Sequence, residues 1–144
     1  MRTLGNNIDT SMVDLKGGTT GQVLSKNSNT DMDFTWIEQD DTTLSFNAQT
    51  GTTYTLVASD SAKLVTLSNA SGITLTVPPS VFSTGNQIHI QQIGAGQVTL
   101  AQGAGVTITS TGATASAPKL RAQYSAATII CTASNTFTVL GDLS

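Results

Sequence analysis

His89 is the only histidine of the 144-residue chain and Cys131 the only cysteine. A catalytic histidine needs a nucleophile or an orienting carboxylate beside it, and the acidic residue closest along the chain is Asp60. A zinc site needs more nitrogen and sulfur ligands than one histidine and one cysteine supply. His89 alternates with Ile88 and Ile90, so it faces away from them, with Gln87 and Gln91 on its own face. That pattern points to a surface or interface role. Cys131 lies in the apolar run Ile129-Ile130-Cys131-Thr132, without the basic neighbour or helix N-terminus that activates a thiolate. It reads as a small buried hydrophobe, and a lone cysteine excludes an intrachain disulfide.

Other patterns carry less chemistry. Gly94-x-Gly96 and Gly103-x-Gly105 resemble phosphate loops only superficially, because such loops open a helix. Here strand-like residues follow and no lysine does, so hairpin turns are expected. Asp31-Met32-Asp33 precedes Phe34-Thr35-Trp36-Ile37-Glu38 with no glycine between, which is not a calcium loop. Asp40-Asp41 adds no further ligand pattern. We expect no metal and no cofactor. Lys119 and Arg121 share one face of a period-two segment and form the only basic pair of the body. They fit a solvated edge strand, or a contact for the acidic arm or an anionic sugar.

Charge divides the chain. A typical domain is about one quarter charged, whereas this one is 10%. Residues 1–41 hold seven acidic and three basic residues, net −4; from Thr42 onward only Asp60, Lys63, Lys119, Arg121 and Asp142 are charged, net +1. With a total of −3, no basic footprint suggests nucleic acid. No apolar run is long enough to span a membrane. The first residues lack the apolar core of a secretion signal, so folding in a cytoplasm is expected. The neutral remainder lacks the acid–base groups of a hydrolase, and no enzymatic role is expected.

The elements that would position these residues are strands. Residues 1–41 carry turn formers and scattered apolar points, Leu15, Val23, Leu24, Phe34, Trp36 and Ile37, with short strands expected around 21–25 and 33–37. That content is too polar to offset its own ordering entropy but supplies anchors for a partner. From residue 42 the pattern alternates with period two. Strands are expected over 42–47, 53–57, 63–68, 73–77, 87–91, 97–100, 106–109, 120–124, 128–132 and 136–140. The step Gln91-Gln92 puts Ile93 out of phase and predicts a bulge, and one short helical turn is expected at 79–82. Turn residues every 8–12 positions read as an all-β sandwich or barrel. We expect a jelly-roll-like β-sandwich over 42–144 preceded by an extended N-terminal arm over 1–41. A neutral sheet lacks the edge charges that guard a monomer against aggregation, so closure in a symmetric oligomer is expected.

Gly17-Gly18-Thr19-Thr20-Gly21-Gln22-Val23-Leu24, followed by Phe34-Thr35-Trp36, resembles a linker of tailed-bacteriophage fibre and appendage proteins. The body resembles a module that often follows it, through the stretch from Ala48 to Leu56, Leu67-Ser68-Asn69-Ala70, Leu75-Thr76-Val77-Pro78, Gly94-Ala95-Gly96-Gln97, Gln123-Tyr124-Ser125-Ala126-Ala127-Thr128 and Val139-Leu140-Gly141-Asp142-Leu143. The resemblance covers most of residues 15–143. It implies a structural component of a virion, made in the bacterial host cytoplasm and built as a homotrimer of β-rich subunits. The chain is short and has no repetitive shaft, which favours a capsid decoration (cement) or head-fibre protein whose arm grips the major capsid protein or another virion protein. The second reading is a short tail-fibre or tail-tip module that binds a host surface glycan. Tyr54, Gln87, His89, Gln91, Lys119, Arg121 and Tyr124 would be its contacts.

Overall fold

The alternating segments are strands in the computed structural model, which describes residues 16–39, 43–111 and 117–144. Leu15, Asp40, Asp41 and Thr42 lie outside the described residues. The molecule is all-β, with about half of it strand. The described helical content is one 3₁₀ turn, Ala58–Asp60, and not the turn expected at 79–82. Contacts divide the chain into two compact units, residues 1–43 and 44–144.

In the first unit, β1 (Gln22–Lys26) and β2 (Phe34–Glu38) form an antiparallel hairpin. Its loop is held by Asp33, which accepts from the Ser28 hydroxyl and from Asn27 Nδ2 at 3.2 Å.

The second unit is a coil of stacked strands. β3 (Ser45–Gln49), β5 (Lys63–Leu67) and β7 (Gln87–Gln92) run parallel to one another, as do β4 (Thr53–Thr55), β6 (Ile73–Val77) and β8 (Val98–Gln102). The chain therefore winds β3–β4, β5–β6, β7–β8, each turn lying on the last in a β-solenoid-like stacking. A jelly-roll-like sandwich is expected from the turn spacing, but that spacing is equally the length of one side of a coil. Period-two alternation is common to parallel and antiparallel strands, so it does not separate the two.

β9 (Thr107–Ser110), β10 (Ala126–Ala133) and β11 (Thr136–Gly141) complete a six-stranded sheet in the order β3-β5-β7-β10-β11-β9. β10 is antiparallel to β7 and β11, and β9 runs parallel to β11 at the far edge. Residues 120–124 form no strand. Leu120 makes one isolated bridge, to Leu143, and Tyr124 turns into the left-handed region at φ 69°.

The two glycine pairs are corners and not hairpin turns. A Cβ on Gly94 would overlap the backbone of Asn69, and one on Gly96 the carbonyl of Ser71. Only glycine lets the third coil settle onto the second. Hydrogen bonds follow the same column. Gly96 N donates to Asn69 O at 2.8 Å, and Asn69 Nδ2 to Thr50 O at 2.7 Å. The bulge expected at Gln91-Gln92 is absent, because β7 stays in phase and turns Gln92 inward, 2% exposed. Gln92 Oε1 accepts from Val98 N at 3.1 Å, and its Nε2 donates to Gly94 O at 3.2 Å. A buried amide with both ends bonded avoids the cost of an orphaned polar group. The register shift lies instead in β10, between Cys131 and Ala133.

The core fills the space between the six-stranded and three-stranded sheets. Ile73, Leu75, Val77, Val98 and Leu100 of the smaller sheet share it with Val65, Leu67, Ile88, Ile90, Ile129, Phe137 and Val139 of the larger. Each such side chain contributes about 1.5–3 kcal/mol on burial. Phe82 meets Phe137 edge to face at 6.2 Å. Pro78-Pro79 ends β6 because proline has no N–H for the ladder.

Candidate functional site

The arm residues fall on two faces of the hairpin. Register pairs Val23 with Ile37 and Leu24 with Trp36, while Lys26 opposes Phe34. Side chains alternate along a strand, so Val23 and Ile37 form one face and Leu24, Phe34 and Trp36 the other. Trp36 packs on Gly18, where a Cβ would stand 2.7 Å from Trp36 Cδ2; its Nε1 is buried with no acceptor among the described residues. Gly18 at φ 76° tolerates the left-handed conformation and leaves room for the ring. The other face is more open: Val23 is 41% exposed, Ile37 44%, and Met32 on the loop 50%. A two-stranded hairpin is at best marginally stable alone, so the face of Val23 and Ile37 is where an added surface gains most.

The glycan contacts suggested by the sequence are not brought together as one surface. Gln87, His89 and Gln91 alternate with buried Ile88, Ile90 and Gln92, so they share the outer face of the six-stranded sheet. His89 Nδ1 lies 3.0 Å from Thr128 Oγ1 on β10. Tyr54 is turned inward instead. Its hydroxyl donates to Asp60 Oδ2 at 2.9 Å and accepts from Asn47 Nδ2 at 2.9 Å. Burial first, and then the Asp60 hydrogen bond, push the Tyr54 hydroxyl above its ordinary range.

Asp60 is the residue that sequence reasoning missed. It is fully buried, and its carboxylate also accepts from Asn47 Nδ2 at 2.6 Å and Val57 N at 2.9 Å. Gln49 Nε2 donates to Asn47 Oδ1 at 2.7 Å and extends the network. A buried carboxylate is stable only with such partners. This network ties β3, β4 and the 3₁₀ turn together around the first coil. Its one signal in the sequence was the rarity of Asp60 in a neutral body.

Lys119 and Arg121 are exposed on either side of buried Leu120, in a connecting segment and not on a strand face. Arg121 pairs with Asp142 within its own unit. Asp142 Oδ2 also accepts from Ser125 Oγ at 2.5 Å. Backbone bonds between Lys119 and Ser144, with Ser144 N donating to Lys119 O at 2.9 Å, fasten the last residues. Tyr124 is 66% exposed on the same connection, its N–H donating to Gln92 O at 2.7 Å. Cys131 is buried, 1% exposed. Burial pushes its thiol above the ordinary range, against the smaller effect of its bond to Ala133 O.

Among the described residues no group of three or more His, Cys, Asp or Glu side chains is placed to hold a metal ion. No described helix is long and apolar enough to cross a membrane. Comparison with protein-family models and with curated protein sequences finds no match.

Proposed function

We propose that this chain is a non-enzymatic structural protein of a tailed-bacteriophage virion, a capsid decoration or head-fibre protein that works by binding. The β-solenoid-like body associates with copies of itself as a homotrimer. The N-terminal unit attaches the assembly to the major capsid protein or another virion protein. The observation that carries this reading is the hairpin: two strands with an open apolar face, Val23 beside Ile37, and among the described residues no third strand in their sheet. A partner's sheet edge supplies the missing strand by β-augmentation.

The test uses purified particles of the phage that encodes the chain. The double substitution Val23→Asp with Ile37→Asp should abolish attachment while circular dichroism and oligomeric state stay unchanged. Undiminished attachment of that variant places the attachment surface on the body. Absence of the chain from purified particles sinks the virion reading altogether. The glycan-binding alternative loses support from the inward turn of Tyr54 and from the engagement of Arg121 by Asp142.

A further inference from the structure

The six-stranded sheet turns one face to the core and the other outward. On the outer face the registers align Phe46 of β3, Leu64 of β5, His89 of β7, Thr128 of β10 and Leu140 of β11 in one transverse row. Phe46 is 68% exposed and Leu140 51%. Lys63 is the only charged residue in the six strands, and alternation sets it on the opposite side of β5 from Leu64. A depression of about 220 Å³ opens on this row, lined by Leu64, His89, Ala126, Thr128 and Leu140 among others. The outer face of the three-stranded sheet lacks large apolar side chains such as Phe46 and Leu140. Its rows are Thr53, Thr74, Thr99 and Thr55, Thr76, Ala101, small and mostly hydroxyl-bearing, and such a surface is at ease in water.

We propose that the outer face of the six-stranded sheet is a contact between copies of this chain, with Phe46 of one copy seated in the depression of the next. Shape supports it. The volume of the depression exceeds that of an enclosed cavity of about 150 Å³ that holds benzene, so an open hollow of this size has room for a benzyl side chain. The depression is lined chiefly by β7, β10 and β11, and β7 already lies two strand spacings, about 10 Å, from Phe46 on β3. Knob and hollow are thus separate places on one face, and every copy presents both.

Charge supports a second copy over another partner. A charged surface docking here buries its charge opposite no counter-charge, which is costly, whereas the same face of a second copy brings none. Six strands about 4.8 Å apart and five residues long give a projected patch of roughly 400–500 Å². That is the scale of the centre of an interface burying about 800 Å² per partner, with Phe46, Leu64 and Leu140 as its apolar part and the Thr and Gln side chains of the same face around them.

This inference rests on the self-association part of the proposed function and not on the virion part. The full chain, the Phe46→Ala variant and the Leu140→Lys variant are compared by analytical ultracentrifugation at micromolar concentration, with circular dichroism and thermal melting as checks of fold. The expected result is an assembled wild type, a dissociation constant raised at least about tenfold in Phe46→Ala, and a folded monomer in Leu140→Lys. Wild-type assembly in both folded variants overturns this face while leaving self-association standing. A wild type that stays monomeric overturns both. A wild-type dimer lost in the variants supports the face and removes the trimer. Should Leu140→Lys fail to fold, Phe46→Ala decides alone, since its ring is mostly in water.

Discussion

The hairpin unit and the coiled unit are built from the same alternating pattern and bury their side chains to very different extents. In the hairpin no described side chain is buried, and Leu24, Phe34 and Trp36 are only half covered. In the coil, Leu75, Val65, Ile88 and Leu100 are completely buried. The difference lies in the number of layers. Two strands have no second layer to bury a face against, whereas each turn of the coil packs its β5-type strand against its β6-type strand across one core. A domain needs at least two packed layers. The coil satisfies this internally, and the described residues of the hairpin form a single layer.

The comparison is broken most directly in the core. Leu75→Ala should destabilise the coil by about 2–5 kcal/mol, read from the midpoint of urea unfolding. Leu24→Ala on β1 should cost under about 1 kcal/mol. Equal losses would show that the hairpin shares the core's cooperativity. Next in size is Asp60→Ala, which strips the acceptor from Tyr54, Val57 N and Asn47. Buried donors left unpaired cost about 1–3 kcal/mol each, so a loss of about 3 kcal/mol is expected. A change below about 0.5 kcal/mol would mean that water replaces the carboxylate.

Gly18→Ala acts on the hairpin alone. It places a Cβ against the Trp36 ring in a left-handed conformation that costs an L-residue about 1–2 kcal/mol. The fluorescence of Trp36, the only tryptophan, should shift to the red while the unfolding midpoint of the coil holds. No shift would mean that something other than Gly18 covers the ring.

The smallest effect is the response to pH, and its sign differs between the units. In the coil, Cys131 and Tyr54 hold their protons above the ordinary values of 9.0 and 10.0. The unfolded chain releases these protons first, so above about pH 9 the folded state binds more protons and stability falls with rising pH. The contribution is complete below that point and is lost as pH climbs through the raised folded values. In the hairpin, hydrogen bonds from Ser28 and Asn27 hold the Asp33 carboxyl below its ordinary 3.8. Its contribution is present above that value and disappears as pH falls through the lowered one. Urea midpoints at pH 7 and about 10 should show the alkaline loss, and Cys131→Ser should remove its first part. Amide protection factors of the hairpin, which remove the intrinsic rise of exchange with pH, should fall only toward acid.

Ile73-Thr74-Leu75-Thr76-Val77 shows how much was legible in the residues alone. Its alternation determined a strand, its ends and its buried face, because side chains on a pleated backbone point to opposite sides in turn. The same alternation set His89 on the outer face, and the apolar run around Cys131 set it inside. Only the tertiary structure decided the partner of each strand, since hydrogen bonds between segments far apart in sequence leave no local trace. It made Gly94 and Gly96 coil corners because Asn69 and Ser71 lie directly against them. It also drew Tyr54 inward, because buried Asp60 needed its hydroxyl. The row from Phe46 to Leu140 exists only through register: five side chains from five separate strands become one surface when the coils stack and β10 and β11 close beside them.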